Sequence, residues 1–282
     1  MTSHDFRVRR RARSIAITLT ATFAALSAAA SAHATPRALP FTYGTETNAE
    51  GSSEIETYVD VTPMRARSTA TGAPVWYLGS QVQAEYEVGL TDRLELGVYV
   101  TWVPTPGDSI TSTATMTEGN GLKQRLRYVF AAPGEWPIDV GVYGEVVEND
   151  REVELEGKLL LQRRLGRLRI ATNLVSEYEL YYAGNVRDVV LAPTLGATFE
   201  ITPALHLGVE GWMRVELPHP APATRPYGLG PHAYVGPTLL WNLGRIWWAV
   251  GVYGRVTDAS HTLQPGEPFG RVWARSILGV DL

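Results

Sequence analysis

Cysteine is absent from all 282 residues. That removes disulfides, a lipoprotein attachment thiol and any thiolate metal site. Beyond residue 34 no stretch reaches the apolar length of a membrane helix. Histidine is scarce there too: His206, His219, His232 and His261 remain. None has ligand spacing, so no metal or other cofactor is expected. No phosphate loop or dinucleotide fingerprint appears. Basic charge is also short. Residues 1 to 34 hold 5 basic residues and 1 acidic of the chain's 25 and 29, which leaves 20 against 28. A chain so acidic is a poor partner for nucleic acid.

The first 34 residues read as an export label. Arg7, Arg9, Arg10, Arg11 and Arg13 precede an apolar run from Ile15 to Ala30, and Ala32-His33-Ala34 offers a small-x-small cleavage pattern. A Sec-type signal peptide over residues 1–34, cleaved after Ala34, is the expectation.

After residue 50 the chain alternates. Trp76, Leu78, Val82, Ala84, Tyr86, Val88 and Leu90 share one parity, while Gln81, Gln83, Glu85 and Glu87 share the other. A strand sends successive side chains to opposite faces, so this segment has one apolar and one charged face. Twelve such segments are expected: 54–62, 75–90, 94–103, 122–130, 138–148, 153–165, 168–180, 189–201, 205–217, 233–242, 246–256 and 272–282. Connections at 91–93, 131–137, 166–167, 202–204 and 243–245 are tight and rich in Gly, Pro or Asp. The intervening ones, 63–74, 104–121, 181–188, 218–232 and 257–271, are longer, and only 149–152 breaks the contrast.

Short turns at one end, long loops at the other and an even strand number together describe an all-β fold. It is a transmembrane antiparallel up-and-down β-barrel of about twelve strands over residues 54–282, with lipid outside and water inside. Trp76, Trp102 and Tyr178 face outward near the long-loop end. Tyr128, Phe130, Phe199, Trp241 and Trp248 do so near the short-turn end, as two interfacial girdles would. A soluble β-sandwich also alternates, but it would need polar outward rows where this chain has Leu94, Leu96, Val98, Val100 and Trp102. Pro193 and Pro237 fall inside strands, so each is expected to mark irregular pairing. Residues 35–53, with Pro36, Pro40, Gly44 and Gly51, suit either a periplasmic arm or a short plug folded into the barrel.

Parity puts a charged lining inside: Glu54, Glu56 and Asp60, then Glu85 and Glu87, then Lys123, Arg125 and Arg127. Glu154, Glu156 and Lys158 follow, with Glu210 and Arg214 further on and Arg271 and Arg275 on the last strand. Barrel closure is expected to bring these two arginines to Glu54, Glu56 and Asp60. Such a lining fits a narrow aqueous path or a closed polar core equally. Glu154 and Glu156 could attract a hard cation, though a solvated lumen face explains them as well. Ser80, Ser176 and Ser276 all have outward parity, so no nucleophile stands beside His206 and no enzyme is expected.

The run Gly121-Leu122-Lys123-Gln124-Arg125-Leu126-Arg127-Tyr128 is followed by Pro133-Gly134-Glu135-Trp136-Pro137. With Glu54-Ile55-Glu56-Thr57-Tyr58 and Val235-Gly236-Pro237-Thr238, it resembles a group of proteobacterial outer-membrane barrels. These are similar in turn to transporter-like barrels of the phenol-degradation-pathway type, and the likeness spans most of residues 38 to 282. The resemblance implies a Gram-negative outer-membrane location and a channel or transporter for small solutes, apolar or aromatic ones included. It supplies no catalytic residues. Implied partners are outer-membrane lipid, the barrel-assembly machinery during biogenesis and a small solute. Many such barrels end in an aromatic residue; this chain ends Val280-Asp281-Leu282, with Leu278, Val280 and Leu282 keeping the apolar alternation. The alternative function is a structural or surface-interaction barrel with a closed polar lumen, binding through its outer loops.

Overall fold

The computed structural model describes residues 36–104, 108–111, 119–184, 186–222, 227–258 and 260–282. The export label expected over residues 1–34 lies outside them, as do parts of the connections following residues 104 and 222.

The first half of the wall is β1 (Ser53–Ser68), β2 (Pro74–Thr91), β3 (Leu94–Trp102), β5 (Gly121–Val129), β6 (Asp139–Asn149) and β7 (Glu152–Leu165). A two-residue strand, β4 (Ile110–Thr111), pairs with the far end of β1. The second half is β8 (Leu168–Tyr181), β9 (Arg187–Leu191), β10 (Thr194–Thr202), β11 (Leu205–His219), β12 (His232–Asn242), β13 (Ile246–Arg255) and β14 (Val272–Asp281). All neighbouring wall strands pair antiparallel, and β14 returns to β1 with Glu54 opposite Asp281 and Val61 opposite Ala274. The sheet therefore closes on itself.

β9 and β10 act as one wall strand interrupted at Ala192 and Pro193. Leu191 faces Ser176 and Thr194 faces Asn173, so the register against β8 runs on through the gap. Counted so, the barrel has twelve wall strands plus the short β4. Proline lacks the N–H a ladder needs. The same chemistry acts at Pro237, which pairs with Val209 on β11 while the ladder to β13 jumps from Val235–Gly254 to Thr238–Gly251. The expected long connection over residues 63–74 is a correction. β1 runs on through Pro63 to Ser68, because its ladder with β14 ends at Val61 and a strand paired on one side tolerates proline.

Burial is inverted relative to a soluble domain. On β3, Glu95 is 0% exposed and Val100 56%. Trp76, Trp102, Phe199, Trp241 and Trp248 all lie on the exposed outer face. Water-soluble proteins bury carboxylates only when forced to and cover valine, so an apolar exterior around a charged interior belongs to a barrel solvated by lipid.

Candidate functional site in the barrel lumen

Residues 36 to 52 run inside the wall as an arch, its entry fixed beside the turn between β2 and β3. There Thr47 Oγ1 donates to the Asp92 carbonyl at 3.0 Å, and the Glu50 N–H donates to Asp92 Oδ1 at 3.0 Å. Gly and Pro leave this stretch without a regular ladder, so its backbone groups need side-chain partners. The wall supplies them. The N–H groups of Phe41 and Thr42 both donate to Glu210 Oε1 on β11, at 3.0 and 2.6 Å. Asn173 on β8 accepts from Tyr43 N–H at 2.7 Å and donates back to the Tyr43 carbonyl at 3.0 Å. Tyr43 reaches Tyr99 on β3, oxygen to oxygen, at 3.0 Å, and Arg37 donates to Tyr58 on β1 at 2.8 Å. Contacts on β1, β3, β8 and β11 carry the arch across the whole lumen.

Aromatic packing reinforces the crossing. Phe41 lies 4.7 Å from the Trp212 ring and 5.2 Å from Tyr253, with the Arg275 guanidinium 3.9 Å over its face. Tyr43 packs 5.1 Å from Tyr143, and Arg37 stacks on it at 3.8 Å. Such cation–π contacts hold a guanidinium without consuming its N–H donors.

Glu46 anchors the near end of the arch. Its Oε1 accepts from Arg164 at 2.8 Å and from Gln162 at 3.0 Å, with Arg169 at 3.4 Å. Burial alone would raise its pKa, but Arg169, the Gln162 hydrogen bond and Arg164 outweigh it and hold the carboxyl below the usual carboxylate range.

The arch separates two cavities. The larger holds about 970 Å³ of space, its mouth included, and opens toward the long connections. Phe41, Tyr43, Tyr99, Tyr143, Trp212 and Trp273 form one part of its lining, and Lys123, Glu145, Glu154, Glu156, Lys158 and Arg214 another. The smaller, on the short-turn side among Pro36, Leu39, Glu46, Arg127 and Arg169, has room for about one water molecule.

Besides Glu210, which holds the arch, and Arg271, the residues singled out by parity fall into four groups. Glu85 and Glu87 meet Arg125, which also reaches Glu95 at 2.7 Å and Tyr99 at 2.9 Å; Arg127 lies on the same Glu95 at 2.7 Å. Gly97 makes this cluster fit, since a Cβ there would strike Glu85 and Arg125. Glu54 and Glu56 sit beside it, taking hydrogen bonds from Trp247 and Tyr58. Lys123, Glu154, Glu156, Lys158 and Arg214 line the larger cavity, with Lys158 2.8 Å from Glu156 and Arg214 2.5 Å from both Glu177 and Glu179. Asp60 takes two bonds from Arg275, at 2.8 and 2.9 Å, and a third from Trp273 at 2.7 Å.

The expected meeting of Arg271 with these carboxylates does not occur. Arg271 precedes β14, and its Nη1 donates to the Asp258 carbonyl in the outer connection at 2.7 Å. Nor does Arg275 reach Glu54 or Glu56: the closure register sets it opposite Asp60, while Glu54 faces Asp281 and Glu56 faces Gly279. Charge counting overlooked the inward aromatics. Tyr58, Tyr99, Tyr143, Trp212, Trp247 and Trp273 share the parity of the charges on their own strands, so the same alternation carried the signal.

Two solved structures share the barrel fold. A COG4313 outer membrane channel from Pseudomonas putida F1 superposes with a TM-score of 0.58 at 11% identity, covering 84% of this chain and 98% of that one. The fold is that of an outer-membrane β-barrel. The NanC porin follows with a TM-score of 0.56 at 9% identity, covering 81% of this chain and 100% of that one. No protein-family model matches the sequence. A search of curated proteins finds no match either.

Proposed function

We propose that this barrel is a Gram-negative outer-membrane channel for small solutes, in which the arch of residues 36 to 52 sets the width of the path. The observation that carries this reading is the arch itself. It crosses the lumen from β1 to β11, yet leaves on the long-connection side an amphipathic space of about 970 Å³ with its open mouth included. A solute entering there meets rings and charges interleaved, with Lys158 over the Tyr43 and Tyr143 rings at 4.7 and 4.3 Å. That surface suits small apolar or aromatic molecules carrying a polar group, the class that a resemblance to phenol-pathway barrels would also suggest. A Sec-type signal peptide cleaved after Ala34 would deliver the chain to the periplasm, and the barrel-assembly machinery would insert it. The apolar exterior supports residence in lipid.

The test compares the mature chain with a variant lacking residues 37–47 in planar bilayers and in liposome swelling. The intact protein should conduct weakly, and the deletion should raise conductance several-fold and admit larger neutral solutes. Equal conductance and swelling for the two proteins would overturn the assignment of the arch. The filled cross-section also favours a second reading, a closed barrel that acts through its outer connections. Complete silence of both proteins in both assays would favour it.

A further inference from the structure

Beneath the arch, two rungs of carboxylates face each other on neighbouring strands: Glu54 stands opposite Glu87, and Glu56 opposite Glu85. Like charges placed directly across a sheet repel. All four side chains are 1% exposed or less, so water cannot screen them. The cationic partners are too few. Arg125 serves Glu85, Glu87 and Glu95; Arg127 serves Glu95; Arg37 stands 3.7 Å from Glu56. Five carboxylates thus meet three guanidiniums. Glu54 has no cationic partner among the described residues, and only the Trp247 indole donates to its Oε1.

Two buried oxygens are left over. Glu54 Oε2 and Glu56 Oε1 have no hydrogen-bond partner, although an unanswered buried carboxylate is strongly destabilising. These side chains are also drawn together: one carboxylate oxygen each from Glu54, Glu56 and Glu87 lies within 4.8 Å of the other two. Oxygens on opposite sides of one calcium ion, each about 2.4 Å from it, stand about 4.8 Å apart.

We infer that Glu54, Glu56 and Glu87 form a binding site for a hard divalent cation, calcium, at the foot of the arch. An all-carboxylate donor set selects oxygen-seeking ions over those that prefer imidazole or thiolate. Calcium tolerates an irregular shell completed by water, whereas magnesium demands a near-ideal octahedron. The ion would supply the missing positive charge. It would also tie β1 and β2 to the arch, because Asn48 Nδ2 donates to Glu87 Oε2 at 3.2 Å and Arg37 lies beside Glu56. A second acidic group, Glu154, Glu156 and Glu177, is clustered as closely. Lys158 and Arg214 already answer it, at 2.8 and 2.5 Å, so it serves as the internal control.

The experiment is calcium titration of the purified mature protein in detergent after EDTA treatment, read by calorimetry and by thermal unfolding. It does not depend on whether the barrel conducts. The expected result is one saturable calcium per chain and a melting temperature that rises with calcium. Glu54→Gln should lose at least tenfold in affinity and, having shed an unbalanced charge, should melt above the wild type in EDTA. Glu154→Gln should bind as the wild type does. Should Glu54→Gln fail to fold, Glu56→Gln gives the same reading. Absence of saturable binding to the wild type, binding unchanged in Glu54→Gln and Glu56→Gln, or binding lost in Glu154→Gln would each overturn the site.

Discussion

A shift of four positions decides what an arginine of this parity does here. Arg271 and Arg275 share a parity, yet Arg275 forms two hydrogen bonds to Asp60 and covers Phe41, whereas Arg271 bonds a carbonyl in the outer connection. Removing one partner of a buried ion pair costs about 3 to 5 kcal/mol, since the other charge is left uncompensated. Trp273 still donates to Asp60, and the Arg275 side chain is 16% exposed, so Arg275→Gln belongs near the low end, about 3 kcal/mol. Arg271→Gln should cost under about 0.5 kcal/mol, as expected of a surface change. Heat-modifiable gel mobility checks both: Arg275→Gln should unfold at a distinctly lower temperature and Arg271→Gln should match the wild type. Equal shifts would mean that the Asp60 pair carries no special stability.

At the scale of elements, the arch and the wall differ in how they are held. Wall strands share ladders with two neighbours, while residues 36 to 52 depend on scattered side-chain acceptors, chiefly Glu210, Asn173, Glu95 and the Glu46 cluster. Glu46 makes this attachment sensitive to acid. Its carboxyl titrates below the usual range in the docked arch, because Arg169, Gln162 and Arg164 outweigh the effect of burial. A group with a lowered folded pKa contributes stability that is complete above its unfolded value, about 4.3 for glutamate, and is lost as pH falls through the folded value. Hydrogen exchange in the arch should therefore rise below about pH 4 while the wall stays protected. In Glu46→Gln, exchange should already be faster at pH 6 and should gain less on acidification. An arch equally protected in both proteins at both pH values would remove Glu46 as its anchor. The same contrast explains what could be read beforehand. A wall strand announces itself locally, since Leu96, Val98 and Val100 alternate with Glu95 and Tyr99 within a few residues. Segment 36 to 52 has no period, and its place depends on partners such as Glu210 and Asn173 far along the chain. Parity likewise reported which face Arg275 takes, but not that closure would set it against Asp60 alone; that depends on strand stagger, which alternation does not encode.

The whole molecule is asymmetric along its axis, and its orientation in the membrane follows from that asymmetry. Both ends of the barrel chain lie with the short turns, where Leu282 N–H donates to the Ser53 carbonyl at 3.0 Å and the arch leaves the wall beside Asp92. The opposite end carries the described parts of the long connections that follow β3, β11 and β13, and the mouth of the larger cavity. In outer-membrane barrels the short turns are periplasmic and the long loops external. That assignment would let solute reach the aromatic cavity from outside and meet the arch before the periplasm. The absence of cysteine allows a clean test, because any introduced thiol is the only one in the chain. Ala70 lies exposed in the turn between β1 and β2, at the long-connection end, and Arg167 lies exposed between β7 and β8, at the other. In intact cells a membrane-impermeant maleimide should label Ala70→Cys and leave Arg167→Cys untouched until the outer membrane is opened. Both thiols should react in purified protein, which shows that neither is hidden by the fold. The reverse pattern in intact cells would turn the barrel over, placing the arch at the outer mouth and making the aromatic cavity face the periplasm.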